Sequence, residues 1–243
     1  ISDELPSKES SSIEYLTMPQ DINIPIVVNV DKVLRDSLIA EKQMKKFRIA
    51  IRRIFYEVET IFRHTDLNQR IKLNVIDVNY LRNRSNSVSM DENSSNYLKS
   101  YCQVQSDKKR VKKKWYYSIL ISGLDFYYLN SDGQKIRSST GRGYMSGMCT
   151  INRSCTLVKW RPENMAYVLA HEIGHSLGIN HDGSRNKCKA SGFIMGSQYD
   201  PKKQPKTWST CSRRYMRRFL IDKRKLSMTK LICIKFSIKL VYK

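Results

Sequence analysis

The period of the apolar positions changes several times along this chain, and each change marks an element. Ile24 to Val30 is a short apolar run suited to a buried strand. From Asp36 to about Phe62, Met44, Phe47, Ile51, Ile54, Val58 and Ile61 recur at spacings of three and four. That spacing predicts one long amphipathic helix, with His64 as an ordinary surface or core histidine on it. Ile71 to Val78 alternates as a second strand, and an Asn- and Ser-rich stretch (83–96) leads into a helix ending near Cys102. Trp115 to Tyr127 reads as a third strand, followed by turn chemistry at Asp132-Gly133. Strand pieces follow around Gly143 to Met148 and Cys155 to Val158. Pro162 fits the first turn of a helix that runs through Met165, Val168 and Leu169 into His171. Beyond Asp182 the pattern is irregular, apart from a short helix around Ser212 to Ile221. Strand, helix, strand, helix, strand, helix predicts an α/β fold with a mixed sheet. Residues 1–21 have no period and read as a flexible lead-in.

The densest chemistry lies at the end of the helix that enters His171. Residues 171–182 read His-Glu-Ile-Gly-His-Ser-Leu-Gly-Ile-Asn-His-Asp, and three of the chain's four histidines fall within them. His171 and His175 are four apart, so on a helix their imidazoles share one face and can grip one ion. Glu172 is about 100° around the same helix, beside such an ion without being its ligand. Gly178 lets the chain leave the helix through a positive φ, so that His181 can return as a third ligand. Three neutral imidazoles with an open fourth position form the ligand set of a hydrolytic zinc site. The extended pattern is the metzincin signature, which also calls for a methionine turn. Met195, in Gly-Phe-Ile-Met-Gly, reads as ordinary core filler when taken singly, and as the expected element at a suitable distance when taken with the helix.

Composition narrows the setting. At 243 residues, 40% hydrophobic and 10% aromatic, the chain has a globular balance and no apolar run near the ~20 residues of a membrane span. With no initiator Met and no charged apolar leader, it reads as a processed or trimmed chain. Six cysteines (102, 149, 155, 188, 211 and 233) include no Cys-x-x-Cys pair. They read as a disulfide framework of an oxidising, extracellular compartment, with fifteen pairings open. Asn83, Asn93 and Asn152 each begin an Asn-x-Ser sequon, as candidate glycosylation sites in a secreted protein. The net charge of +22 is concentrated in Lys108 to Lys114 and in the run from Arg213 to Lys225. Such runs either bind an anionic surface or glycosaminoglycan, or keep solvated loops soluble. Aromatics are not interleaved among them, which argues against sequence-specific nucleic-acid binding.

The zinc pattern, Met195 and the upstream segment Gly141-Arg142-Gly143-Tyr144-Met145-Ser146-Gly147-Met148-Cys149 together resemble the reprolysin (adamalysin) branch of the metzincins. The resemblance covers about residues 22–234, leaving 235–243 as a tail. Cys149 and Cys155 look like the ADAMTS proteases, and the basic, stand-alone form looks like scorpion antareases. Ser197, where astacins and serralysins carry a tyrosine ligand two residues past the methionine, argues against those branches.

The resemblance implies a metzincin fold: an upper subdomain with a twisted, mainly parallel mixed sheet and helices, and a small, irregular, disulfide-tied lower subdomain. It implies one catalytic zinc on His171, His175 and His181, with Glu172 as general base and Met195 as the Met-turn. Asp182 is then a buried structural carboxylate. The implied disulfides are Cys102 with Cys155, Cys149 with Cys233, and Cys188 with Cys211. A structural calcium is not expected, because Tyr116 stands where relatives carry an acid. Substrate lies along an edge strand at Gly143 to Met148, with residues 196–201 walling the pocket. The expected protein is a secreted, monomeric zinc endopeptidase, a venom or salivary toxin acting on vesicle-fusion or extracellular-matrix proteins. A different reading is a basic toxin that binds a membrane, a receptor or a glycosaminoglycan, with proteolysis secondary.

Overall fold

The computed structural model describes residues 21–67, 69–82, 88–112, 114–137, 140–198, 203–227 and 235–237. Its elements are β1 (Asp21–Val30), α1 (Lys32–Ala40), α2 (Met44–Phe62), β2 (Arg70–Tyr80), α3 (Ser94–Lys112), β3 (Tyr117–Ser122), β4 (Tyr128–Leu129), β5 (Lys135–Ile136), β6 (Gly141–Gly143), β7 (Cys155–Lys159), α4 (Met165–Ser176), α5 (Thr210–Ser227) and β8 (Lys235–Ser237). The main sheet runs β2-β1-β3-β7-β6, and β8 pairs with β1. β2, β1, β3 and β7 are mutually parallel, whereas β6 is antiparallel to β7. This is the α/β arrangement with a mixed sheet that the pattern predicted, mainly parallel as the resemblance implied.

Both faces of the central strands are covered, which is why they read as apolar runs. Ile119 and Ile121 of β3 and Val158 of β7 join the larger core with α2 and α4. Leu120 and Leu157 turn to the other face, into a second cluster with Tyr97, Leu98 and Tyr101 of α3. The disulfide between Cys102 and Cys155 ties α3 to β7 within that cluster.

Several expectations are corrected. The predicted helix from Asp36 to Phe62 is two helices, because Lys42 adopts φ 54° and turns the chain between α1 and α2. A smooth apolar period cannot reveal a single left-handed residue. His64 lies beyond α2, where its Nδ1 is 3.0 Å from Asp66. The third strand is only Tyr117–Ser122. The helix predicted to end near Cys102 runs to Lys112, because Gln105, Ser106 and Lys109 are buried on its inner face and interrupt the apolar signal. Residues 108–112 of the Lys108–Lys114 run are therefore helix, and Lys109 is not a solvated charge. It is 3% exposed, and its ammonium donates to the backbone oxygen and hydroxyl of Ser154 at 3.0 and 2.6 Å. Met165, rather than Pro162, opens α4, and α5 is longer than the expected helix at both ends. Lys235–Ser237, assigned to the tail from sequence, forms a strand against Asp21–Asn23 of β1.

One buried carboxylate joins four of these elements. Asp31 caps α1 by accepting from Leu34 N–H at 2.8 Å, and it also accepts from Gly123 N–H at 3.2 Å. Its second oxygen accepts from the hydroxyls of Tyr97 (3.1 Å) and Ser122 (2.5 Å).

Candidate active site

α4 carries its functional side chains where the larger core meets the sheet edge. It ends in a turn that Gly178 makes possible at φ 80°. Gly178 N–H donates to His175 O and Ile179 N–H to Gly174 O, the paired bonds of a left-handed helix terminus. The Ile179 carbonyl then faces back and accepts from His175 Nδ1 at 2.9 Å. His171 Nδ1 meets the Ile194 carbonyl at 2.8 Å in the same way. A carbonyl only accepts, so both rings carry their proton on Nδ1 and leave the Nε2 lone pair free.

Those lone pairs converge. His181 Nε2 is 3.1 Å from His171 Nε2 and 3.0 Å from His175 Nε2. The three histidines each bring one ring nitrogen to within 4.8 Å of the others, two of them with a free lone pair, so they fit a metal ion. Burial holds the histidines neutral, pulling His171 to about 4 and His175 to about 3, and lowers His181 as well. Neutral imidazole is the form that coordinates.

Glu172 is buried beside this trio, on the side of β6. Burial pushes its carboxyl up to about 8, against the opposing effects of the Arg142 charge and the Gly143 N–H. The edge strand comes this close only because it lacks side chains there. A Cβ at Gly141 would lie 2.8 Å from Glu172 Cγ and Oε1, and one at Gly143 3.0 Å from the Glu172 carbonyl oxygen. The sequence placed Gly143 on the edge strand but gave neither glycine this role; the close spacing of Gly141-x-Gly143 was the available signal.

Met195 is fully buried beneath α4, where a Cβ at Gly174 would meet its Sδ at 2.8 Å. Its carbonyl accepts from Asp182 N–H at 2.7 Å. Asp182, also fully buried, accepts from the Ser209 hydroxyl at 2.6 Å, so the residue after the third histidine joins the methionine turn to the start of α5. Trp208 completes this floor: its indole N–H donates to Ile61 O at 2.9 Å, and its ring lies 5.0 Å from that of Phe62. Neither Trp208 nor Gly174 was identified from sequence.

The cleft over the histidines is about 480 Å³ and is bordered by β6, Tyr128, Tyr167, Gly196 and Ser197. Of the wall predicted at 196–201, residues 199–201 lie outside the described residues. The edge strand is Gly141–Gly143 rather than Gly143 to Met148. Beyond Gly143 the chain turns over the end of α4, where Ser146 N–H and Met148 N–H donate to His175 O and Ser176 O. A larger groove of about 860 Å³, between β1, β2 and α3, holds none of these residues.

Cys188 is bonded to Cys211, tying the segment after Asp182 to α5. Cys149 is also disulfide-bonded, and Cys233 lies outside the described residues. Asn152 is exposed in a turn, whereas the Asn93 side chain accepts from Ser95 N–H at the start of α3. Asn83 lies outside the described residues.

The pattern of the reprolysin (M12B) family of zinc metalloproteases matches residues 22–231. The chain belongs to this family. Human "A disintegrin and metalloproteinase with thrombospondin motifs 7" is 31% identical over 179 residues, 67% of this chain and 10% of the relative. The corresponding mouse protein 16 is 28% identical over 203 residues, 83% of this chain and 16% of the relative. This reprolysin thus spans a small part of the length of the curated relatives it matches. Among solved structures, metalloproteinase-II from Bacteroides fragilis shares the fold with a TM-score of 0.53 at 16% identity, over 81% of this chain and 53% of that one.

Proposed function

We propose that this reprolysin is a secreted endopeptidase that cuts extended protein segments laid along β6, with zinc held by His171, His175 and His181 and Glu172 as general base. The observation that carries this reading is the convergence of three Nε2 atoms beside a buried carboxyl at a sheet edge. Zinc, when bound there, supplies a Lewis acid that acidifies water and polarises the scissile carbonyl. Glu172 accepts the proton of the attacking water and returns it to the departing amine. Gly143 N–H orients that carboxylate, and β6, as the last strand of the sheet, aligns the peptide by strand addition.

The disulfides support an oxidising, extracellular setting. A venom or salivary role akin to that of scorpion antareases rests on the charge of +22 and the basic form of the chain.

The test is Glu172→Gln. Zinc content, measured by elemental mass spectrometry, is expected to be unchanged, while cleavage of a quenched peptide falls by about 10²- to 10⁴-fold. Chelation abolishes cleavage in the parent protein and added zinc restores it. Full activity in the Gln variant would sink the assignment.

A further inference from the structure

β6 is the edge of the main sheet and is three residues long, Gly141-Arg142-Gly143. Its two glycines turn their missing Cβ positions toward Glu172. Successive strand residues alternate in direction, so Arg142 stands on the opposite face of the strand from Glu172. It nevertheless borders the cleft, and it is the one lysine or arginine among the described residues lining it. Its backbone oxygen accepts from the Thr156 hydroxyl at 2.9 Å, which fixes the strand against β7. None of the ion pairs among the described residues engages its guanidinium. The only carboxylate among the lining residues, Glu172, belongs to the catalytic reading.

An extended peptide added to β6 presents its own side chains alternately to the two faces, and residues directly opposite one another share a face. Every second side chain of the substrate therefore comes to Arg142's side. With glycine before and after it, the guanidinium has no crowding from its own strand. A half-buried guanidinium favours carboxylate through two parallel N–H···O bonds and disfavours lysine or arginine.

We infer that Arg142 is a specificity-determining residue that makes this cleft prefer acidic peptides. It selects Asp or Glu at the substrate position directly across β6 from it, out of phase with the side chains that face Glu172. The inference rests on the endopeptidase reading and names its substrate class.

A positional scan separates this from the attraction that a chain of charge +22 exerts on any acidic peptide. Quenched peptides of one neutral sequence carry a single Glu, or Gln as control, moved stepwise along it; mass spectrometry confirms a constant cleaved bond. The readout is the Glu-to-Gln ratio of kcat/KM at about 0.15 M salt, where long-range attraction is screened. The expected ratio is about tenfold or more at one position and near unity at its neighbours. In Arg142→Gln that ratio collapses, and in Arg142→Glu the position favours Lys. Arg142→Lys keeps the charge but loses the fork, so its ratio is intermediate; should the Gln variant cleave nothing, this ratio decides. An unchanged ratio in Arg142→Lys and Arg142→Gln, or equal acceleration at every position, overturns the inference. Failure of the parent protein to cleave any peptide overturns the reading beneath it, whereas cleavage without a positional preference overturns this inference alone.

Discussion

Met195 lies directly against Gly174 on the underside of α4, so close that a methyl group at 174 would come within 2.8 Å of its sulfur. One residue carries the floor of the site and the other leaves room for it. The fit lets α4 settle onto the turn beside the stripe that presents His171 and His175.

This contact is expected to appear as energetic coupling. Gly174→Ala overpacks the floor and costs about 1–3 kcal/mol. Met195→Ala opens a cavity and costs about 2–5 kcal/mol. The double variant is expected to cost clearly less than the sum, because the new methyl group enters the space that sulfur leaves. Urea denaturation of the four proteins measures the coupling; strict additivity would show that the two residues do not depend on each other.

Gly141→Ala tests the close approach of β6. The added carbon meets Glu172 Cγ and Oε1 at 2.8 Å and Val168 Cγ1 at 2.9 Å, so the carboxylate must move. We expect kcat to fall about tenfold or more with zinc content unchanged, since small misplacements of a catalytic group are costly. Separate kcat and KM values with elemental analysis check this. A loss of zinc instead would place the glycine in support of the metal ligands.

Asp31 should be among the most sensitive positions in the fold. Asp31→Ala leaves the buried Leu34 N–H, the more accessible Gly123 N–H and two buried hydroxyls without their acceptor, and is expected to cost about 3 kcal/mol or more. Asp31→Asn should cost about half as much. Its amide oxygen still caps α1, and its NH₂ can donate to hydroxyls that turn to accept. Comparison of the denaturation midpoints decides, and equal losses would mean that the negative charge itself is required.

Lys109 gives stability a pH dependence. Burial pulls its ammonium from 10.5 to about 7. The unfolded chain therefore binds more protons between these values, and stability rises as pH rises through that window; below it the penalty is complete and constant. Between about pH 7 and about pH 9.5 the slope is at most about 1.4 kcal/mol per pH unit. Lys109→Met should flatten it in denaturation curves taken across that range. An unaltered slope would assign the pH dependence to other groups.

The histidine pattern was legible from spacing because α4 is local: residues four apart share a helix face wherever the helix sits, and Gly178 signals its exit. The sheet was legible where both strand faces are apolar, as in β1 and β3. The boundaries of α3 and the break at Lys42 were not, because the first depends on polar side chains that find partners only across the fold and the second on one dihedral. Trp208 could not be assigned to the floor of the site, since its partner Ile61 is 147 residues away in sequence.

The sequence by itself determined the α/β class with a mixed sheet, the histidine spacing and the presence of a carboxyl next to the first histidine. Only the tertiary structure decided that Gly141 and Gly143 bring a sheet edge against that carboxyl, that Met195 fills the notch at Gly174, and that Arg142 borders the cleft from the opposite face of β6. The division is physical: helical and strand periods follow from neighbouring residues, whereas contacts made through the absence of a side chain exist only once two distant segments have packed together.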